Sequence, residues 1–78
     1  MEVSYVKLWK LLLDKRMKKT DLIKEADIST NTLAKLSKDK IVSVSVLGRI
    51  CVALRCDIGD IMEVILPEEK ESDWSIED

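Results

Sequence analysis

Thr30, Asn31, Ala34, Lys35 and Lys38 fall on the faces of one short stretch that its apolar pair, Leu33 and Leu36, leaves free. Their chemistry is that of base-edge recognition. An asparagine amide pairs bidentately with adenine, a lysine ammonium donates to guanine O6 and N7, and a threonine methyl rests against the thymine methyl. Lysines elsewhere in the chain supply the salt-dependent, sequence-independent part of an affinity for phosphate. The free backbone amides at the start of a helix bind phosphate as well, helped by the helix dipole. The plain alternative is that these residues are a solvated helix face.

Other chemistries find little to work with. The chain has no histidine. Its two cysteines, Cys51 and Cys56, have no partner base in the pattern and lack the further Cys or His ligands that a structural zinc needs, so they are expected to be buried or half-buried thiols. The carboxylates fall on caps, exposed faces and the C-terminal segment. No catalytic residue, no metal and no cofactor is expected, and a chain of 78 residues leaves little volume for a small-molecule site. No run of apolar residues is long enough to span a membrane. The start, Met1-Glu2-Val3, lacks the basic residues and apolar core of a signal peptide, so the cytoplasm is the expected compartment.

The net charge of −2 hides a division. Residues 1–66 carry twelve Lys/Arg against nine Asp/Glu, a net +3, while residues 67–78 carry one Lys against six acids, a net −5. The expected organisation is one domain over 1–66 and an acidic C-terminal tail over 67–78.

The elements that must position the candidate residues are helical. Tyr5, Leu8, Trp9 and Leu12 repeat at helical spacing and predict a helix over about 5–16, with Ser4 as its cap. Trp9 reads as core or subunit contact before it reads as a stacking platform. Leu11, Leu12 and Leu13 together exceed one stripe, which leaves a widely buried helix or an interface open. Leu22, Ile23 and Ala26 predict a second helix over about 19–26. Asp27 then stands where the chain reversal needs a left-handed residue, and Ile28 anchors the turn. Ser29 caps a third helix, Thr30–Lys38, and Ser43 a fourth, Val44–Leu54. Gly48 inside the fourth suggests close packing. Asp57 and Asp60 form a capping-box pattern for a fifth helix along Ile58, Ile61, Met62 and Ile65, which Pro67 stops. No strand is expected. Ile41–Val46 alternates, but over too short a stretch.

The segment from Leu22 to Leu36 (LIKEADISTNTLAKL) resembles the helix-turn-helix of the Cro/cI, or Xre, family of bacterial and phage regulators. The later segment from Val46 to Ile61 (VLGRICVALRCDIGDI) is similar to that family's fourth and fifth helices. The resemblance spans roughly residues 4–65. It implies an all-α, five-helix bundle of the lambda-repressor-like type whose third helix reads the major groove of double-stranded DNA. By position it puts Thr30, Asn31, Ala34 and Lys35 at the bases, and Lys19, Lys38, Lys40 and Ser43 at the phosphates. Departures from the pattern are Asp27 and Arg16 where glycine is usual, Ile23 where a small residue is common, and Lys18 where a Ser or Thr cap is common. The expected function is a sequence-specific transcriptional regulator, a repressor, acting as a homodimer. The alternative is a protein-interaction module on the same fold, antitoxin-like or an anti-repressor partner. For the tail, competition with DNA, a dimer contact through Trp74 and a merely solvated segment all remain open.

Overall fold

The computed structural model describes residues 1–67. The chain opens with β1 (Glu2–Ser4), then runs through four helices: α1 (Val6–Asp14), α2 (Asp21–Glu25), α3 (Thr30–Ser37) and α4 (Val44–Leu54). A single 3₁₀ turn, Ile58–Asp60, leads to β2 (Glu63–Ile65), which pairs antiparallel with β1 in the register Glu2–Ile65, Val3–Val64, Ser4–Glu63. The result is a small, mostly helical domain with a two-stranded ribbon at one end.

The helices begin where the local chemistry directs. The Ser29 hydroxyl accepts the Thr32 amide at 3.0 Å and the Ser43 hydroxyl accepts the Val46 amide at 3.2 Å, so α3 and α4 start as expected. At α1 the Ser4 hydroxyl accepts the Val6 amide, but Tyr5 occupies the cap position. α2 is shorter than expected because residues 18–23 are wound by tight bonds between positions three apart, Lys18 to Asp21, Lys19 to Leu22 and Thr20 to Ile23. Lys18 does not cap it. The Asp21 carboxylate instead accepts the Lys18 amide at 2.8 Å.

The expected fifth α-helix is absent. Its capping box forms: the Asp60 carboxylate accepts the Asp57 amide at 2.9 Å, and Asp57 caps in return. The turn nevertheless stops after one 3₁₀ revolution. Gly59 weakens helix propagation, Ile61 is drawn wholly into the core, and Glu63-Val64-Ile65 then finds a strand partner in Glu2-Val3-Ser4. Among the described residues the fold is a mostly helical domain of four α-helices and a ribbon, where five helices and no strand were expected.

Tyr5, Leu8, Leu12, Leu22, Leu36, Ile50 and Ile61 are fully buried, one or more from every helix and one from the 3₁₀ exit. Each such aliphatic side chain contributes about 1.5–3 kcal/mol by leaving water. Ala26 and Ile28 are buried on either side of the α2–α3 turn, where a small residue lets the helices approach. Leu11 is half-buried and Leu13 is 75% exposed, so α1 is not buried all round. Trp9 is half-buried, with the Lys19 ammonium 4.2 Å from its ring centroid. Gly48 is not a close-packing site: a Cβ added there meets nothing within 4 Å. Cys51 is buried and Cys56 half-buried, both free thiols. Burial, then the neighbouring Cys51 sulfur, pushes the Cys56 thiol up to about 11, which makes it a poor nucleophile at neutral pH.

Candidate nucleic-acid interface

α3 is built to show one face. Leu36 is fully buried and Leu33 half-buried, which fixes the inner side. At about 100° per residue, Asn31, Ala34, Lys35 and Lys38 project from the opposite side, with Thr30 at the edge of the same arc. All five are exposed. The structure therefore gathers the four residues expected at the bases into one outward stripe. Thr32, between them in sequence, faces elsewhere: its hydroxyl takes the Ser29 hydroxyl proton at 3.0 Å.

The two ends of α3 are held by different devices. At its start the chain reverses through Asp27, whose φ of 54° places it in the left-handed region as expected. Arg49 of α4 donates its guanidinium to the Asp27 carbonyl at 2.9 Å and pins the turn to the body. At its end Asp39 is also left-handed, at φ 56°, and the Lys40 amide reaches back to the Lys35 carbonyl at 2.9 Å. That six-to-one bond and the left-handed residue before it make the C-terminal closure usually supplied by glycine. The Asp39 carboxylate then accepts the Tyr5 amide at 3.1 Å, and the buried Tyr5 hydroxyl donates to the Lys40 carbonyl at 2.8 Å. The loop bearing Lys38 and Lys40 is thus strapped to the start of α1. Sequence reasoning placed Tyr5 in the core and missed both hydrogen bonds. It also missed Arg49.

The expected phosphate contacts are less uniform than the reading stripe. Lys38 and Lys40 are exposed beside α3. The Ser43 hydroxyl is engaged as an acceptor from Val46 and keeps its own proton free to donate. Ile41 and Val44, 57% and 70% exposed, flank that cap as apolar surface on which sequence reasoning placed no role. Lys19 is turned onto the Trp9 ring. Among the described residues no group of three or more His, Cys, Asp or Glu side chains is gathered as for a metal ion, and no helix is long and apolar enough to cross a membrane.

An exposed recognition-type helix, a preceding helix and a pinned turn between them define a helix-turn-helix. Residues 7–67 match the Cro/C1-type helix-turn-helix DNA-binding domain, and the chain belongs to that family. A solved structure, the crystal structure of the transcriptional regulator VanUg in its form II, is similar at 50% sequence identity. The likeness covers 85% of this chain and 88% of that one, with a TM-score of 0.80. No curated protein matches the chain. Family and neighbour together make this a DNA-binding regulator of the Cro/C1 type.

Proposed function

We propose that the protein is a sequence-specific repressor that lays α3 in the major groove of double-stranded DNA. The observation that carries this reading is the exposed stripe of Thr30, Asn31, Ala34 and Lys35 directly opposite the buried Leu36. Lys19, Lys38, Lys40 and the Ser43 cap supply phosphate contacts on either side, Lys19 by swinging off Trp9. The DNA-binding domain is residues 1–66, and residues 67–78 are an acidic appendage. Repression follows from occupying a site, in the cytoplasm, with no cofactor and no catalysis.

An eight-residue helix is about 12 Å long and reads only a few base pairs. Two copies reading half-sites about 34 Å apart are the usual remedy, and we propose a homodimer. Met1, Val64, Ile65 and Leu66 are all more than 40% exposed at the ribbon and offer apolar surface for it. The second reading, a protein-interaction module on this fold, draws on the low net charge and the acidic tail.

The test is selection of bound sequences from a random duplex pool, repeated with two variants. Asn31→Ala is expected to cost about 1–3 kcal/mol on the best site and to relax preference at one position. Lys40→Ala is expected to weaken all sequences alike and to lower the salt slope by about one unit. An unchanged preference in Asn31→Ala refutes the assigned register of α3. No binding to any duplex at low salt favours the interaction module.

A further inference from the structure

Away from the reading stripe, a groove of about 360 Å³ lies at the C-terminal half of α1, lined by Trp9, Leu12, Leu13, Met17, Lys18 and Lys19. Its floor is apolar and its rim cationic. Leu13 stands 75% exposed there, the largest exposure of any leucine among the described residues. The rim, Lys18 and Lys19, belongs to the most basic run of the chain, Lys15-Arg16-Met17-Lys18-Lys19. The chain also contains a segment of the complementary composition. Residues 68–78, outside the described residues, hold six acids and one lysine, and among them stand two apolar side chains, Trp74 and Ile76.

We propose that Trp74 and Ile76 of the same molecule seat in the groove of Trp9, Leu13 and Met17, with the tail's carboxylates against Lys18 and Lys19. Apolar residues fill the floor and opposite charges meet at the rim. The tether is short. β2 runs antiparallel to β1, so the chain leaves the ribbon at the Glu2 end, while α1 begins two residues past the other end of β1 with Trp9 one turn along it. Trp74 stands seven residues beyond Pro67, and a chain of that length extends to about 23–25 Å. A tether this short gives the tail a local concentration on the order of millimolar, which favours its own groove over that of a second copy in dilute solution. The docked acids neutralise Lys18 and Lys19. On the DNA-binding reading above, on which this consequence rests, the contact is autoinhibitory.

The test uses the full chain and needs no DNA for its first arm. Trp74→Ser is expected to shift the NMR signals of the Trp9 indole and of the Leu13 and Met17 methyls, while those of Val46, Ile50 and Val52 stay in place. Leu13→Gln, at an exposed position that the fold does not need, is expected to shift the Trp74 indole in return. Both effects are expected to be constant from about 20 µM to about 1 mM, the range below and around the tether's own effective concentration. Unmoved groove signals overturn the proposal. Shifts that appear only where sedimentation detects dimers overturn it in favour of a second copy's tail. In the second arm Trp74→Ser is expected to bind random duplex about three- to tenfold tighter at low salt, the gain shrinking as salt shortens the Debye length below about 8–10 Å. Groove shifts with equal DNA affinities overturn the autoinhibitory consequence. Groove shifts with no DNA binding by either form refute the DNA-binding reading and support the docking.

Discussion

α3 is entered through Asp27 and left through Asp39, and the two aspartates share a left-handed backbone while doing different work. At the entry, the Asp27 carbonyl accepts from Arg49, and the structure gives its carboxylate no hydrogen bond. At the exit, the Asp39 carboxylate is itself the fastener, holding the Tyr5 amide. The entry uses the aspartate for its tolerance of positive φ alone. The exit uses both the tolerance and the side chain. A backbone angle therefore explains why an aspartate fits at either place, but only the partner explains whether glycine could replace it.

The sharpest probe of the exit is the hydroxyl of Tyr5. Tyr5→Phe keeps the buried ring and removes the donor to the Lys40 carbonyl. It is expected to lower unfolding stability by about 1–2 kcal/mol in urea titration, since an acceptor loses its partner. The difference has a pH signature. Burial, followed by the nearby Asp39 carboxylate, raises the phenol above its usual value of 10.0. A group whose pKa is raised by folding contributes stability that is complete below the unfolded value and is lost as pH rises through the folded one. The advantage of the wild type over Tyr5→Phe is therefore expected to be flat from neutrality to about pH 10 and to vanish above it. An advantage that persists undiminished well above that range would show that the hydroxyl is not the source.

The next effects separate the two aspartates directly. Asp39→Gly relieves the left-handed strain but removes the acceptor for the Tyr5 amide, and the net expectation is a loss of about 0.5–1 kcal/mol. Its second reading is functional: a loosened loop carrying Lys38 and Lys40 should weaken DNA binding without changing the preferred sequence. Asp27→Gly, the smallest change, is expected to gain about 0.5 kcal/mol, because glycine accepts positive φ without the steric penalty. Thermal melts of the pair decide the matter. Equal signs would mean that the contrast between the ends is not real.

What the sequence made legible follows from range. Ser29 and Ser43 cap by bonding amides three residues on, so their roles are readable in four letters. Asp27 is readable because few residues tolerate its backbone and the surrounding apolar spacing marks a turn. The outward stripe of α3 is likewise a local property of helical period. Tyr5 and Asp39 lie 34 positions apart, and Asp27 and Arg49 lie 22 apart. No periodicity links such pairs. The C-terminal segment failed for the same reason. Ile58, Ile61, Met62 and Ile65 fit a helical stripe, and the capping box that announced a helix did form. What decided the conformation was a strand partner at the opposite end of the chain. Gly48 misled in another way: a missing side chain marks either a close approach or an open space, and here it marks open space.

The ribbon also sets an order of events. Pairing Glu2 with Ile65 closes nearly the whole described chain into one loop. The helices need only near neighbours, whereas this closure carries the largest loop entropy in the molecule and repays it with two three-residue strands. It should therefore zip last during refolding and open first in the native state, so that hydrogen exchange at Val3 and Val64 outpaces exchange at Ile50. A nascent chain leaving the ribosome would carry its first strand unpaired until the residues of the second had emerged.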